Sequence, residues 1–516
     1  MTLAALLAAL GDLVSGPPPV LDGAAADRPV KAVAYDSRKA ASGSVFVALK
    51  GQKADGRAFI AQALAKEATA VVAETEPPPD AHAPWVVVRD ARLALARLAA
   101  AFYGHPSREL TVVGITGTNG KTTTAYLVSA LFEAAAIRCG MLGTIVYRTG
   151  AEDRDAVRTT PESVDVQQML REMVSRQCGA CAMEVSSHAL SQRRVDDTRF
   201  AAAVFTNLTR DHLDFHGDLE SYFAAKRRLF EMLGPDASAV LNIDDPRGAS
   251  LAGLGGRTLT YAVDRPADIH PSTLTQTLRG LAFEATTPVG PIEVRSRLVG
   301  RPNIYNILAS IGAAVACGLP NDAIARGIAA LEGVPGRFQV VSGEGDGITV
   351  VVDYAHTDDA LKNLLETARP LATARLITVF GAGGDRDKTK RPLMGAVAAR
   401  LSDLVILTSD NPRSEDPAEI IEEIRRGVAV PAERTRPSEP REGQPKYTPP
   451  TATAHLAITD RALAIERAIA LARPDDVVLI AGKGHEKSQV VGDREIPFDD
   501  VEVARRALDR RRGGRG

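Results

Sequence analysis

The sequence predicts an α/β protein of three domains: a small N-terminal α/β domain, a central P-loop domain with a mainly parallel sheet, and a C-terminal Rossmann-like domain. Three observations carry that prediction. Short apolar runs of strand length alternate with longer stretches of helical periodicity along most of the chain. A glycine-rich loop stands between one such run and one such helix. The 516 residues are enough for about three domains of ~150 residues each.

The elements justify this in order. "MTLAALLAALGDLV" opens the chain as an amphipathic helix, and residues 30–105 alternate runs such as "SVFVAL" and "WVVVRD" with "AFIAQALAKEA". A boundary near "YGHPSREL" sets the first domain at 1–107. "LTVVGIT" then reads as a buried strand and "GKTTTAYLVSALFEAA" as a helix, with further strands at "GACAMEV", "FAAAVFTNL" and "ASAVLNID". The second domain runs over 108–337, to "GVPGRFQVV". Beyond it "ITVVVDYAH", "ARLITVFG", "SDLVILTSD" and "DDVVLIAGKG" each pass from a strand into a turn, which defines the third domain, 338–516. Residues 430–454 are Pro-rich, charged and without periodicity, and read as a loop inserted in that domain with no catalytic role.

Bulk properties exclude several classes. A net charge of −2 with mixed signs offers no basic field for nucleic acid and no polybasic patch for a membrane surface. The first helix lacks a basic leader and is too short to span a bilayer. Four cysteines are too few for a disulfide framework, which suits a reducing cytoplasm, and the Cys178/Cys181 pair has no partners for a zinc site and reads as structural.

"GITGTNGKTTTAY", 114–126, is the most informative stretch. Gly117, Thr118, Asn119 and Gly120 form a loop whose backbone N–H groups, with the helix N-terminus behind them, suit nucleotide phosphates. Lys121 is expected to neutralise the β and γ phosphates, Thr122 to ligate Mg2+, and Thr123 to continue the site. The spacing departs from GxxxxGK[ST], because Ile115 stands five residues before Gly120. Glu184, in "MEVSSHALSQRRV", follows a strand and is a candidate metal ligand. His212, in "NLTRDHLDFHG", is another, although a histidine in an Asp-rich loop is by itself more often solvated.

"TGTNGKTTT" together with these two stretches resembles the Mur ligase family of peptidoglycan synthesis, with folylpolyglutamate synthetases as more distant relatives. The resemblance runs in order from "DSRK" to "GKGHE". It implies that Lys226, in "YFAAKRRLF", is carbamylated by CO2 and becomes an anion for a second Mg2+ beside Glu184 and His212. It implies ATP contacts for Asn303 and Asn306 in "GRPNIYNILAS" and for Arg337 in "PGRF", although the asparagines are equally suited to capping. Asp358 replaces a proline common in the family's "YAHTPD" and is expected to cap a helix there. "YDSRK" and "GQKADGR" resemble the family's uridine-nucleotide site, assigning Ser37 to the uracil or its neighbours. Thr159, Thr160, Ser186, Gln192 and Arg194 would then contact the rest of a UDP-MurNAc-dipeptide.

The resemblance lies with the branch that adds the third residue of the stem peptide: ATP would phosphorylate a carboxylate, and an amine would displace the phosphate. The added residue is expected to be meso-diaminopimelate. "DNPR" brings Asp410, Asn411, Pro412 and Arg413 to the end of an apolar strand, and arginine offers a donor fork to the free carboxylate that lysine lacks. Arg386 in "GGDRDKTKRP", and Gly482 and Glu486 in "GKGHE", match the family's other amino-acid contacts. The expected ligands are therefore ATP, Mg2+, UDP-MurNAc-L-Ala-D-Glu and meso-diaminopimelate, handled by a monomer without nucleic acid or membrane. The alternatives are lysine addition by the same chemistry, a folylpolyglutamate-type ligase, and a nucleotide-driven switch or transport ATPase.

Overall fold

The computed structural model describes all residues except 17–20, 22, 52–54, 80, 430–453 and 514–516. The described chain divides into two compact units. The first holds 1–273, 284–294 and 305–330, and the second holds 274–283, 295–304 and 331–516. The expected boundary near 337 lies close to the start of the second unit's long segment. The one at 107 lies inside the first unit, where two separate sheets stand on either side of it.

The four strands Ala32–Ala34, Ser44–Val47, Ala70–Ala73 and Trp85–Val87 form a parallel sheet in chain order. Val45, Val47, Val72 and Val86 share one core with Leu3, Leu6 and Leu10 of the opening helical segment and with the helix Ala91–Phe102. Each such Leu or Val, once buried, contributes about 1.5–3 kcal/mol. The opening segment is helical over Leu3–Ala8, shorter than its apolar run, because a 3-10 turn follows at Gly11–Leu13.

Eight strands make the second sheet, in the order Arg257–Tyr261, Ser238–Asn242, Ala202–Phe205, Thr111–Thr116, Ala180–Glu184, Cys139–Leu142, Val146–Arg148 and Asp153–Asp155. The first six are parallel and the last two antiparallel. Thr111–Thr116 is central and its last five residues are buried, the pattern of a strand covered on both faces. Cys139, Cys178 and Cys181 are free, buried thiols, each pushed up first by burial, in keeping with a packing role.

The second unit holds a six-stranded sheet in the order Gln339–Val340, Thr349–Asp353, Val477–Ala481, Leu376–Phe380, Leu404–Leu407 and Ala454–Ala457, parallel except for the first strand. Helices cover both faces, with Leu361, Met394 and Ile424 in one core and Ile465, Ala504 and Leu508 in the other. This is the expected doubly wound arrangement. The Pro-rich stretch lies outside the described residues as far as 453; Ala454 belongs to a strand instead, paired with Leu404. Residues 270–296, which the sequence reading leaves without elements, contain the strands of a three-stranded sheet. Among the described residues no helix is long and apolar enough to cross a membrane.

Candidate active site

In the first unit, the three neighbouring parallel strands Ala202–Phe205, Thr111–Thr116 and Ala180–Glu184 end at one edge of the sheet, and their following loops carry the expected motifs. Gly117 and Gly120 have φ of +150° and +88°, and a Cβ on them would lie 1.8 Å from Thr206 Oγ1 and 2.3 Å from Asn306 Oδ1. Only glycine fits either position. Thr206 Oγ1 donates to Asn119 O (2.7 Å) and Asn119 N to Asn207 Oδ1 (2.9 Å), so the next strand's loop braces the turn. The helix Lys121–Ala134 starts directly behind it, with Thr122 and Thr123 buried in its first turn. Its leading N–H groups form an anion-binding end. Lys121 Nζ donates to Gly117 O (3.0 Å) and Thr118 O (2.8 Å), which holds the ammonium against the loop.

Glu184 ends its strand and is 1% exposed. Its Oε2 accepts from Thr122 Oγ1 and Thr144 Oγ1, each at 3.0 Å, and its Oε1 from Thr144 N at 2.8 Å. A carboxylate and a threonine hydroxyl beside a phosphate loop form the hard oxygen set that suits Mg2+. Thr144, not singled out in the sequence, also meets Thr159 at 3.1 Å between hydroxyl oxygens. Thr160 Oγ1 donates to Glu184 O (2.8 Å) and accepts from Ser186 N (3.1 Å). Arg194 reaches Thr160 O (3.0 Å), Gln192 Oε1 (2.7 Å) and Glu162 (2.8 Å). Thus Thr159, Thr160, Ser186, Gln192 and Arg194 form one connected patch next to Glu184. Ser37 is buried elsewhere in this unit and donates to Gln62 Oε1 at 2.7 Å.

Lys226, from the helix Leu219–Glu231, is 1% exposed, and its Nζ donates to Gly117 O at 2.7 Å, the same carbonyl that Lys121 uses. Burial, then the nearby Lys121, pushes its basicity well below that of an ordinary lysine. Two ammonium groups on one carbonyl are mutually repulsive, and a neutral Lys226 amine removes that repulsion. His212 sits in a left-handed turn at φ +52° and packs edge-on to His188, ring centres 4.8 Å apart. Burial first, with Lys121 among the further causes, lowers His212 and favours the neutral, ligating imidazole. Among the described residues no three His, Cys, Asp or Glu side chains come together as a ready-made metal site.

The two asparagines differ. Asn306 abuts Gly120, whereas Asn303 Nδ2 donates to Val299 O (2.7 Å) and fastens the entry to its own helix. In the second unit Arg337 lies over the Tyr354 ring, 4.8 Å from its centre, and Tyr354 packs on His485 at 4.9 Å between ring centres. The cap of the helix Asp358–Ala368 is Thr357, which accepts from Ala360 N; Asp358 is the first helical residue, and its charge faces the positive helix end.

The second unit repeats the edge arrangement: "DYAH", "GKGHE", "GGDRDK" and "SDNPR" follow four adjacent parallel strands. Arg413 is held at φ +52° by backbone bonds to Val490 and Gly492, and its Nη1 donates to Gly384 O at 2.8 Å. Pro412 O would lie 1.8 Å from a Cβ at Gly384, so the two loops touch through glycine. Asn411 Nδ2 donates to Glu486 Oε2 (2.9 Å), and a Cβ on Gly482 would lie 2.6 Å from Asp410 Oδ2. Arg386 is exposed at the rim and donates to its own loop, Asp385 O, at 3.0 Å.

Several supporting residues escape sequence reasoning. Arg391, fully buried, ties Glu415, Glu423 and Gly383 O together. Arg461 forks onto Asp500 and also holds Ser409 O and Ala481 O, at the roots of two motif loops. Their partners are distant in sequence, so no local signal marks them.

A phosphate-loop motif at the edge of one parallel sheet and a cluster of charged loop residues at the edge of a second are the arrangement of a nucleotide-using α/β enzyme. Family models agree in three consecutive pieces: "Mur ligase family, catalytic domain" over 29–103, "Mur ligase middle domain" over 115–314 and "Mur ligase, glutamate ligase domain" over 336–484. Two UDP-N-acetylmuramoyl-L-alanyl-D-glutamate–2,6-diaminopimelate ligases are close in sequence. The one from Solibacter usitatus is 48% identical, covering 93% of each chain. The one from Geobacter metallireducens is 49% identical, covering 90% of this chain and 92% of its own. A solved structure of a ligase of the same name matches with a TM-score of 0.69 at 33% identity, covering 99% of this chain and 100% of that one. The chain belongs to the Mur ligase family.

Proposed function

We infer that the protein is an ATP-dependent amide ligase that joins meso-diaminopimelate to UDP-MurNAc-L-Ala-D-Glu. The observation that carries the choice of amino acid is Arg413, fixed by Gly384 O and the backbone of Val490 and Gly492 in the loop after a parallel strand, in a chain nearly half identical to ligases named for that substrate. Residues 1–107 would bind the uridine nucleotide through Ser37, 108–337 would bind ATP, and 338–516 would bind the amino acid. The reaction would run in the cytoplasm, a reducing compartment that suits cysteines left as free thiols.

A free carboxylate is a poor electrophile because oxide is a prohibitive leaving group. The γ-phosphoryl of ATP is therefore transferred to the dipeptide's carboxylate oxygen, the β–γ bridge breaks and ADP leaves. The amine of diaminopimelate then attacks the acyl phosphate, loses a proton and expels phosphate. Positioning and charge neutralisation dominate such transfers. The loop N–H groups and Lys121 would hold the β and γ phosphates, with Asn306 beside them. Thr122, Glu184 and His212 fit Mg2+ by donor type; when bound, it would screen the charge that accumulates between phosphate and carboxylate. Lys226, whose basicity burial holds well below that of an ordinary lysine, is poised to take up CO2 as a carbamate and so complete an anionic set that no cluster of His, Cys, Asp or Glu provides among the described residues. Thr159, Thr160, Ser186, Gln192 and Arg194 would hold the dipeptide next to Glu184.

In the crevice, the Arg413 guanidinium would pair with the far carboxylate of diaminopimelate, while Glu486 and Asp410 suit its ammonium groups. Lysine would leave Arg413 unpaired and add a second cation. Arg413→Ala is expected to lower kcat/KM for meso-diaminopimelate roughly 10²-fold, the usual cost of truncating one partner of a closed charge pair. The KM for ATP should stay near its starting value, measured by steady-state phosphate release. An unchanged kcat/KM would remove Arg413 as the selector.

A further inference from the structure

Lys483 is 0% exposed at the second position of "GKGHE", and the ligation steps above make no use of it. Its Nζ donates to Asn411 Oδ1 at 2.9 Å and to Glu486 Oε2 at 2.8 Å, and stands 4.0 Å from Asp410 Oδ1. Asn411 closes the triangle by donating to the same Glu486 oxygen at 2.9 Å, while its own Oδ1 also accepts Val490 N at 3.0 Å. Both donors to Glu486 thus converge on Oε2. Among the described residues Oε1 has no hydrogen-bond partner.

This arrangement costs the fold free energy that an apolar residue would save, because burying an ammonium is expensive even when it is paired. Packing alone would be served by methionine or leucine. What the ammonium adds is geometry: it locks a side chain of the "DNPR" turn to one of the "GKGHE" loop and leaves one carboxylate oxygen unengaged.

We propose that Lys483 is a positioning residue for the added amino acid, locking Asn411 and Glu486 together so that Glu486 Oε1 accepts an ammonium group of a ligand bearing both ammonium and carboxylate groups. Lys483 itself touches no substrate. Its fixed charge also keeps Glu486 and Asp410 from making the crevice a general cation trap. The proposal rests on the amino-acid reading of this crevice given above.

The test is steady-state kinetics on the full chain for wild type, Lys483→Met, Glu486→Gln and the double variant, varying ATP, the nucleotide dipeptide and meso-diaminopimelate in turn. Lys483→Met is expected to raise KM for meso-diaminopimelate about tenfold or more, with the other two KM values within about twofold. The double variant should be about as impaired as the worse single one, the mark of two residues acting as one unit. Lys483→Gln, which keeps a donor and loses the charge, should show the same pattern and serves if the methionine variant does not fold. An unchanged KM for meso-diaminopimelate, an equal rise in all three values, or effects that multiply would overturn the proposal while the ligase reading stands. Absence of amino-acid-dependent turnover in wild type would sink both.

Discussion

Lys226→Met is expected to leave the protein folded and at least as stable, yet to lower turnover on the order of 10³-fold, the scale of a lost charge-stabilising group. The two halves of this prediction have different causes. Lys226 is 1% exposed, and burial holds its amine well below the usual lysine range, so the folded state carries a polar group it would be more stable without. Methionine has nearly the same length and no ammonium. Its hydrogen bond to Gly117 O is lost, but that carbonyl is still served by Lys121. Stability by urea unfolding should therefore hold or rise. On the proposed carbamate, turnover falls because a methionine can neither take up CO2 nor supply an anion next to the phosphate loop. Added bicarbonate should raise the activity of degassed wild type and leave the variant unchanged. A variant that keeps more than about a tenth of wild-type turnover would show that Lys226 is not part of the charge-stabilising set.

Arg461→Met acts in the opposite sense, on the fold first. The side chains of Arg461 and Asp500 are both 0% exposed, joined by two bonds of 2.8 and 2.7 Å. Removing the guanidinium strands a buried carboxylate, which costs about 3–5 kcal/mol. Because Arg461 also donates to Ser409 O (3.3 Å) and Ala481 O (3.0 Å), the loss falls on the strand ends from which the "SDNPR" and "GKGHE" loops emerge. Hydrogen exchange of the strand Val477–Ala481 should accelerate, and the midpoint of that unit's thermal transition should drop by about 10 °C. Removing both charges, as Arg461→Met with Asp500→Leu, should recover much of the loss, since a well-packed apolar pair can replace a buried ion pair. Equal instability of single and double variants would mean that the pair is not the source.

What was legible in the sequence depended on whether the chemistry lies along the chain or across it. The phosphate loop is local: Gly117, Gly120, Lys121 and Thr122 are contiguous, and the flanking apolar run and helix announce the context. The place of Arg413 could be read because an arginine after Asp-Asn-Pro follows an apolar strand, whose end parallel-sheet topology puts at the sheet edge. Lys226 could not, since on its helix it is one basic residue among three consecutive ones, and only its 1% exposure and the contact with Gly117 O distinguish it. Asn303 and Asn306 look equivalent at a spacing of three, yet one fastens its own helix and the other meets Gly120. Thr357 rather than Asp358 caps its helix, a one-residue difference that side-chain type cannot decide because both residues cap well. Thr144, Arg461 and Lys483 gain their roles from partners tens of residues away, brought together by strand order, and composition carries no trace of that.

The most direct measurement is phosphate release by wild type with ATP, Mg2+ and UDP-MurNAc-L-Ala-D-Glu, offering meso-diaminopimelate, L-lysine or L-ornithine separately. Turnover that requires the nucleotide dipeptide and occurs strongly with meso-diaminopimelate alone is the predicted result. Equal or better turnover with L-lysine would contradict the substrate assignment and leave the ligase chemistry, and phosphate release indifferent to every amino acid would contradict the ligase itself.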